Sequence, residues 1–233
     1  MRRLKMLAAA AALMMSASGA HAVVVDLLTG PGNVAEGAYN QIVYGDFTVT
    51  AGGYRGFAGI DYKVYVDRTS IHGLGVDTTG ARGVDSNDED DMDGRNDESL
   101  LFDFNSGLWR VLGFWFVDGD HDLDFDDTAP DDEFDLFVDG TEILTDIAIE
   151  ANDNNGFVSL TSLGVTLNQL TGNQFRVGAD DCGFNSNTPR CHDSFYIHKI
   201  KYERVPVPEP ATLGLVGLAL AGFGFRLGRG RRD

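Results

Sequence analysis

Residues 60–66, Ile-Asp-Tyr-Lys-Val-Tyr-Val, put Tyr62, Val64 and Val66 on one side of an extended chain and Asp61, Lys63 and Tyr65 on the other. A period of two is the pattern of a half-buried strand. It recurs along the chain, whereas no heptad and no apolar stripe of helical period does. The same pattern predicts strands at 42–50, 100–104, 109–117, 134–138, 142–150, 157–160, 174–178 and 195–203. Turn signals separate them at Gly52-Gly53, Asp139-Gly140, 152–156 and Thr171-Gly172-Asn173. Asp139-Gly140 has the form of a two-residue hairpin loop. The 29 glycines and 15 phenylalanines suit strands joined by tight turns better than long helices. Nine or ten short strands at this spacing predict an all-β domain, a single jelly-roll-like β-sandwich. No internal repeat and no Pro-rich linker precedes Val205, so one domain is expected over 23–206.

Both ends of the chain read as addresses. Arg2, Arg3 and Lys5 precede an apolar run at 6–15, and Ala20-His21-Ala22 has the small-x-small form of a cleavage site. Residues 1–22 are therefore expected to be a secretory signal peptide, a helix handled by the Sec export machinery and cleaved before Val23. At the other end, Pro206, Pro208 and Pro210 surround Glu209. An apolar run follows at 213–225, then Arg226, Arg229, Arg231 and Arg232. A full bilayer span needs about 20 apolar residues. This shorter run suits a short helix that inserts transiently, its arginines held at the cytoplasmic face.

The tail from Val207-Pro208-Glu209-Pro210 through the arginine cluster closely resembles the PEP-CTERM sorting signal of Gram-negative bacteria. The resemblance covers 207–233. It implies an exported protein, transiently anchored in the inner membrane and processed near the motif by an exosortase, a membrane-embedded cysteine peptidase. It also implies a final place at the cell surface or outside the cell, in bacteria that make extracellular polysaccharide and form biofilms.

The whole chain carries a formal charge of −18. With the two ends set aside, 34 acidic and 11 basic residues remain, a charge of −23. That balance excludes a nucleic-acid binder, which needs clustered Lys and Arg. Half of all the carboxylates lie in two segments, eight at 85–98 and ten at 118–135. Such crowding is repulsive unless a cation neutralises it or water and salt screen it. Hard oxygen ligands in loops suit Ca²⁺, which takes six to eight oxygens. In the second segment Asp122, Asp124, Asp126 and Glu133 fall at positions 1, 3, 5 and 12 of a calcium loop. Asp127 replaces the glycine of position 6, Pro130 sits inside the loop and no entering helix is apparent, so it is not an EF-hand. Read instead as a strand, Asp118, Asp120, Asp122, Asp124 and Asp126 would share one face. The first segment offers Asp85, Asp88, Asp91, Asp93 and a distal Glu98. Structural Ca²⁺ at a sandwich rim is the expectation, with a solvated acidic loop as the alternative.

Cys182 and Cys191 are the only cysteines. In an exported protein an even pair is expected to form a disulfide. No Gly-x-Ser-x-Gly elbow, His-Glu-x-x-His or phosphate loop is present. His72, His121, His192 and His198 are scattered, and no pairing of carboxylates for glycoside hydrolysis stands out among so many acids. No catalytic residue is assigned. Tyr54, Tyr62, Trp109 and Trp115 are candidates for stacking on sugars, with Trp109 and Trp115 expected on one, core-facing side of a single strand. The body itself resembles a recurrent stretch of exported PEP-CTERM proteins at 73–76, 85–94 and 98–104, which implies a jelly roll and no particular activity. The expected protein is a non-catalytic surface or matrix component associated with extracellular polysaccharide. A carbohydrate-binding module is the alternative, and a glycoside hydrolase the less favoured one.

Overall fold

The computed structural model describes residues 21–29, 34–53, 61–68, 73–79, 92–93, 98–118, 133–149, 156–179 and 194–206. Through Val205 these form one compact unit made of two antiparallel sheets. The expected signal helix and tail helix lie outside the described residues.

The first sheet contains β1 (Ala22–Asp26), β2 (Gly37–Tyr39), β5 (Asp61–Val66), β6 (Leu74–Thr79), β7 (Met92–Asp93), β9 (Trp109–Asp118), β12 (Phe157–Ser159), β13 (Thr171–Gly172) and β15 (Ser194–Arg204). Its order is β12-β9-β15-β6-β5-β2, with β13 beside β9 and with β1 and β7 beside β15. The second sheet contains β3 (Ile42–Val43), β4 (Phe47–Gly53), β8 (Glu98–Phe104), β10 (Glu133–Val138), β11 (Thr141–Ala148) and β14 (Gln174–Ala179), in the order β11-β10-β14-β8-β4-β3.

The two inner faces supply one shared core, with rings of both sheets in contact across it. Phe102 of β8 meets Phe114 of β9 at 5.6 Å between centroids, and Phe134 of β10 meets Phe116 of β9 at 4.8 Å. Val64 and Val66 are fully buried and Tyr62 packs against the same core, as their alternation predicts. Each such aliphatic or aromatic side chain contributes about 1.5–3 kcal/mol by leaving water.

Asp139 and Gly140 connect β10 to β11 with φ of 49° and 78°. Positive φ at both loop positions is the twist that a two-residue hairpin needs. The Asp139 carboxylate also accepts the N–H groups of Asn173 and Gln174, each at 2.9 Å, fixing the entry to β14.

Several sequence expectations need correction. Residues 42–50 form two strands, because Gly45 at φ 75° turns the chain between β3 and β4. Gly52 and Gly53 then lie in β4 and not in a turn. A Cβ on Gly53 would fall 2.4 Å from the Tyr62 hydroxyl, so the missing side chain makes room for that ring. Trp109 and Trp115 face opposite ways. The ladder between β9 and β15 skips Leu112, between Val111 and Gly113, so Trp109 and Val111 point into the core, as do Phe114 and Phe116 beyond the skip. Trp115 is left on the outer face, where its ring lies 4.2 Å from that of Phe157. Gly113 has no room for a Cβ, which would meet the Val158 carbonyl oxygen at 2.5 Å. Strands β1, β2, β6 and β7 carry no alternation long enough to predict them, and Thr171-Gly172 pairs with β9 instead of only turning.

Candidate functional site

Three places on the sandwich bear on function: the end where the chain enters and leaves, the end that bounds the acidic segments, and a concave patch on the second sheet.

The entering strand β1 lies antiparallel to the leaving strand β15, with Ala22 opposite Glu203 and Asp26 opposite Lys199. Ala22, the last residue of the expected signal peptide, thus occupies the first ladder position of β1. Ala20 lies outside the described residues. Beyond β1 the chain is pinned repeatedly. Leu27 donates its N–H to the His198 carbonyl at 2.9 Å, and Tyr44 donates its hydroxyl to the Leu27 carbonyl at 2.7 Å. Burial pushes the Tyr44 phenol well above the ordinary tyrosine range. Asp26 accepts the N–H groups of Leu28 and Thr29 and lies 3.4 Å from Nε2 of His198. Burial pushes the Asp26 carboxyl upward, but the Thr29 N–H, His198 and the Leu28 N–H together hold it below the ordinary aspartate value.

The exit is clamped as well. Val205 donates its N–H to the Leu108 carbonyl at 2.8 Å, Arg204 lies over the Trp109 ring at 5.8 Å, and Glu203 pairs with Arg110. Beneath them, Phe104 packs on Trp109 and on Tyr202, each at 5.1 Å, and on Phe47 at the same distance. Tyr202 donates its hydroxyl to Asp46, and burial followed by that carboxylate raises its phenol well above the ordinary range. Pro206 comes next, and the sorting residues Val207, Pro208, Glu209 and Pro210 lie outside the described residues.

The other end of β15 faces the acids. Phe195 pairs with Asp118, the last residue of β9, and with Met92 of β7, while Ser194 pairs with Asp93. In the second sheet Phe134, the second residue of β10, pairs with Ala179, the last of β14, and Gly178 pairs with Ser99 near the start of β8. Strand β7 also contacts β8 and β14. The strand ends that bound both acidic segments and the cysteine segment at 180–193 therefore gather at one rim. This rim lies roughly 33 Å along β15 from the tail exit, at about 3.3 Å per residue.

Of the predicted calcium ligands, Glu98 is buried at the start of β8 opposite Gly53, and Glu133 is half-buried at the start of β10 opposite Ala148. Asp93 and Asp118 are placed by their backbones alone. Asp85, Asp88, Asp91, Asp120, Asp122, Asp124 and Asp126, like Cys182 and Cys191, lie outside the described residues. Among the described residues no group of three or more His, Cys, Asp or Glu side chains is placed to hold a metal. None of their helices is long and apolar enough to cross a membrane.

The third place was missed by sequence reasoning. On the outer face of the second sheet, Gly53, Leu101, Phe137, Gly140, Gln174 and Arg176 line a concavity of about 260 Å³. Arg176 is half-buried there. Its Nη1 donates to the Ser99 hydroxyl at 2.8 Å, and Ser99 in turn donates to the Gly52 carbonyl. A lone arginine between β-branched and aromatic residues was the available signal.

Residues 206–232 match the model of the PEP-CTERM protein-sorting motif. No curated protein and no solved structure matches the chain. The chain thus carries the sorting tail of an exported protein, and that motif implies processing by exosortase-type machinery.

Proposed function

We propose that this is an exported, non-catalytic β-sandwich of the jelly-roll kind, displayed at the cell surface or in the extracellular matrix. Its tail inserts transiently in the inner membrane and is then cut near the PEP motif. The observation that carries this reading is the sorting motif itself, which begins one residue after the clamped end of β15. Both export addresses join neighbouring strands at one end of one sheet. In this reading Ca²⁺ at the acidic rim neutralises the acidic segments and ties their loops together, and the displayed body associates with extracellular polysaccharide.

The test is a truncation at Pro206 in the native exporter. The full-length protein is expected to be cell-associated at first and to mature to a mass whose new C terminus lies near 207–210. The truncated protein is expected to be exported but not retained. A mature, surface-located form that still ends at Asp233 overturns the reading.

One observation favours the carbohydrate-binding alternative. The half-exposed Trp115 packs beside Phe157 on the outer face of the first sheet, with Lys201 5.7 Å over the Phe157 ring. Aromatic faces beside polar tips suit sugar stacking. Retention on a neutral glycan column, lost in Trp115→Ala, would support that alternative.

A further inference from the structure

Arg176 is anomalous in so acidic a chain. Of the other described cations, Lys63, Arg110 and Lys199 lie within ion-pair distance of carboxylates, Lys201 and Arg204 rest on aromatic rings, and Arg68, out in solvent, donates to the Leu28 carbonyl. Arg176 is half-buried, with neither a carboxylate partner nor a ring beneath it among the described residues. Among the described residues its partner is the neutral hydroxyl of Ser99, bonded through Nη1 alone. A guanidinium has five donors in a planar fork. Withdrawing that charge from water without a counter-charge is costly. Its burial depresses the guanidinium below the ordinary arginine value.

The surroundings are built around it. The Ser99–Gly52 chain holds one edge of the fork, leaving Nε and Nη2 without described protein partners. Gly53 and Gly140 contribute lining without side chains, while Leu101 and Phe137 supply apolar surface and Gln174 an amide. Leu101, Arg176 and Phe137 stand in one row across β8, β14 and β10. The backbone groups of that row are occupied by ladders on both sides, so a peptide cannot add here as an extra strand. A volume of about 260 Å³ falls just below the range of about 300–1,000 Å³ typical of drug-sized ligand pockets. It suits one ring-sized unit of a chain that continues over the sheet.

We propose that this concavity binds the carboxylate of a uronic acid residue in an extracellular polysaccharide, with Arg176 as the bidentate anchor and Leu101 and Phe137 against the sugar ring. The inference rests on the reading that the displayed body meets polysaccharide, and it names the site and the sugar class. An Arg–carboxylate pair is planar, charge-assisted and geometrically selective. A neutral sugar leaves the guanidinium without its counter-charge and is rejected.

The test titrates the exported protein with a galacturonate oligomer, a neutral glucose oligomer of equal length and poly-glutamate, followed by calorimetry. The galacturonate oligomer is expected to bind at millimolar concentration or better, with no binding of the neutral oligomer. Arg176→Gln is expected to weaken that binding at least tenfold. Arg176→Lys keeps the charge but not the fork, and is expected to weaken it several-fold. Should the glutamine variant not fold, the lysine variant decides. No uronate binding, unchanged binding in the decisive variant, or equal binding of poly-glutamate overturns the proposal. Failure here leaves the tail's processing intact, whereas failure of sorting would relocate the protein without changing its affinity for uronate.

Discussion

The two ends of the sandwich are held by different physics. At the end where the chain enters and leaves, Phe47, Phe104, Trp109 and Tyr202 form one ring cluster, with Arg204 over Trp109 and Val205 bonded to Leu108. At the acidic rim, the strands end in Asp93, Asp118 and Glu133 and give way to segments holding half of the chain's carboxylates. The first end is stabilised mainly by burial, which charge screening affects little. The second carries like charge, whose cost depends on cations and screening.

The largest effect expected comes from cutting the packed end. Trp109 is 7% exposed, contacts Phe104 and Tyr202, and donates Nε1–H to the Ser106 carbonyl at 2.7 Å. Trp109→Ala is expected to lower stability by about 3–5 kcal/mol, read as a fall in the urea midpoint at constant slope. A loss below about 1 kcal/mol would mean that the ring cluster does not anchor this end. Next in size is the packing near the rim. Gly156 has φ 73°, and a Cβ there would meet the Phe116 carbonyl oxygen at 2.1 Å. Gly156→Ala is expected to cost about 2–4 kcal/mol, from backbone strain together with displacement of β12. An unchanged midpoint would show that the backbone near this end yields freely.

The difference between the ends also explains what was legible in the sequence. Long strands with strict alternation, such as β5 and β10, and the Asp139-Gly140 hairpin were readable because period and turn chemistry are local. The alternation puts Trp115 on the wrong face because the ladder skips Leu112, and a skip in pairing with β15 leaves no local trace in the sequence of β9. Strands β2 and β7 are too short to carry a period, and β1 was read as the start of the body just after a cleavage site. Of the functional places, the sorting tail was fully legible as a motif. The gathering of the acidic boundaries at one rim was not, because it depends on which strands pair. The Arg176 concavity depends on residues from four strands and left almost no local trace.

The rim's dependence on its medium is the third test. If Ca²⁺ fills a site there, a concentration of about 100 times its dissociation constant stabilises the fold by about 2.7 kcal/mol. A rise of several degrees in melting temperature is expected on going from chelator to millimolar Ca²⁺. Trp109→Ala should start lower and show the same increment, since the two ends are far apart and distant effects add. Identical melting with and without Ca²⁺ would make the rim a solvated acidic surface.

The smallest effect sharpens the boundary of the end where the chain enters and leaves. Asp26 closes the turn after β1 and faces Leu28 N–H, Thr29 N–H, His198 and, at 3.9 Å, Lys199. Its carboxyl is held below the ordinary value, so it binds fewer protons in the folded than in the unfolded state. Its contribution is therefore complete above the unfolded value near 3.8 and is lost as pH falls through the folded one. Other carboxylates titrate nearby in pH, so the useful quantity is the difference between wild type and Asp26→Asn. At pH 7 the wild type is expected to be the more stable by about 1 kcal/mol in urea unfolding. That gap is expected to hold down to about pH 4 and to close below it. A gap that persists at pH 2 would mean that asparagine fails for steric reasons, and that charge does not seat β1 on β15.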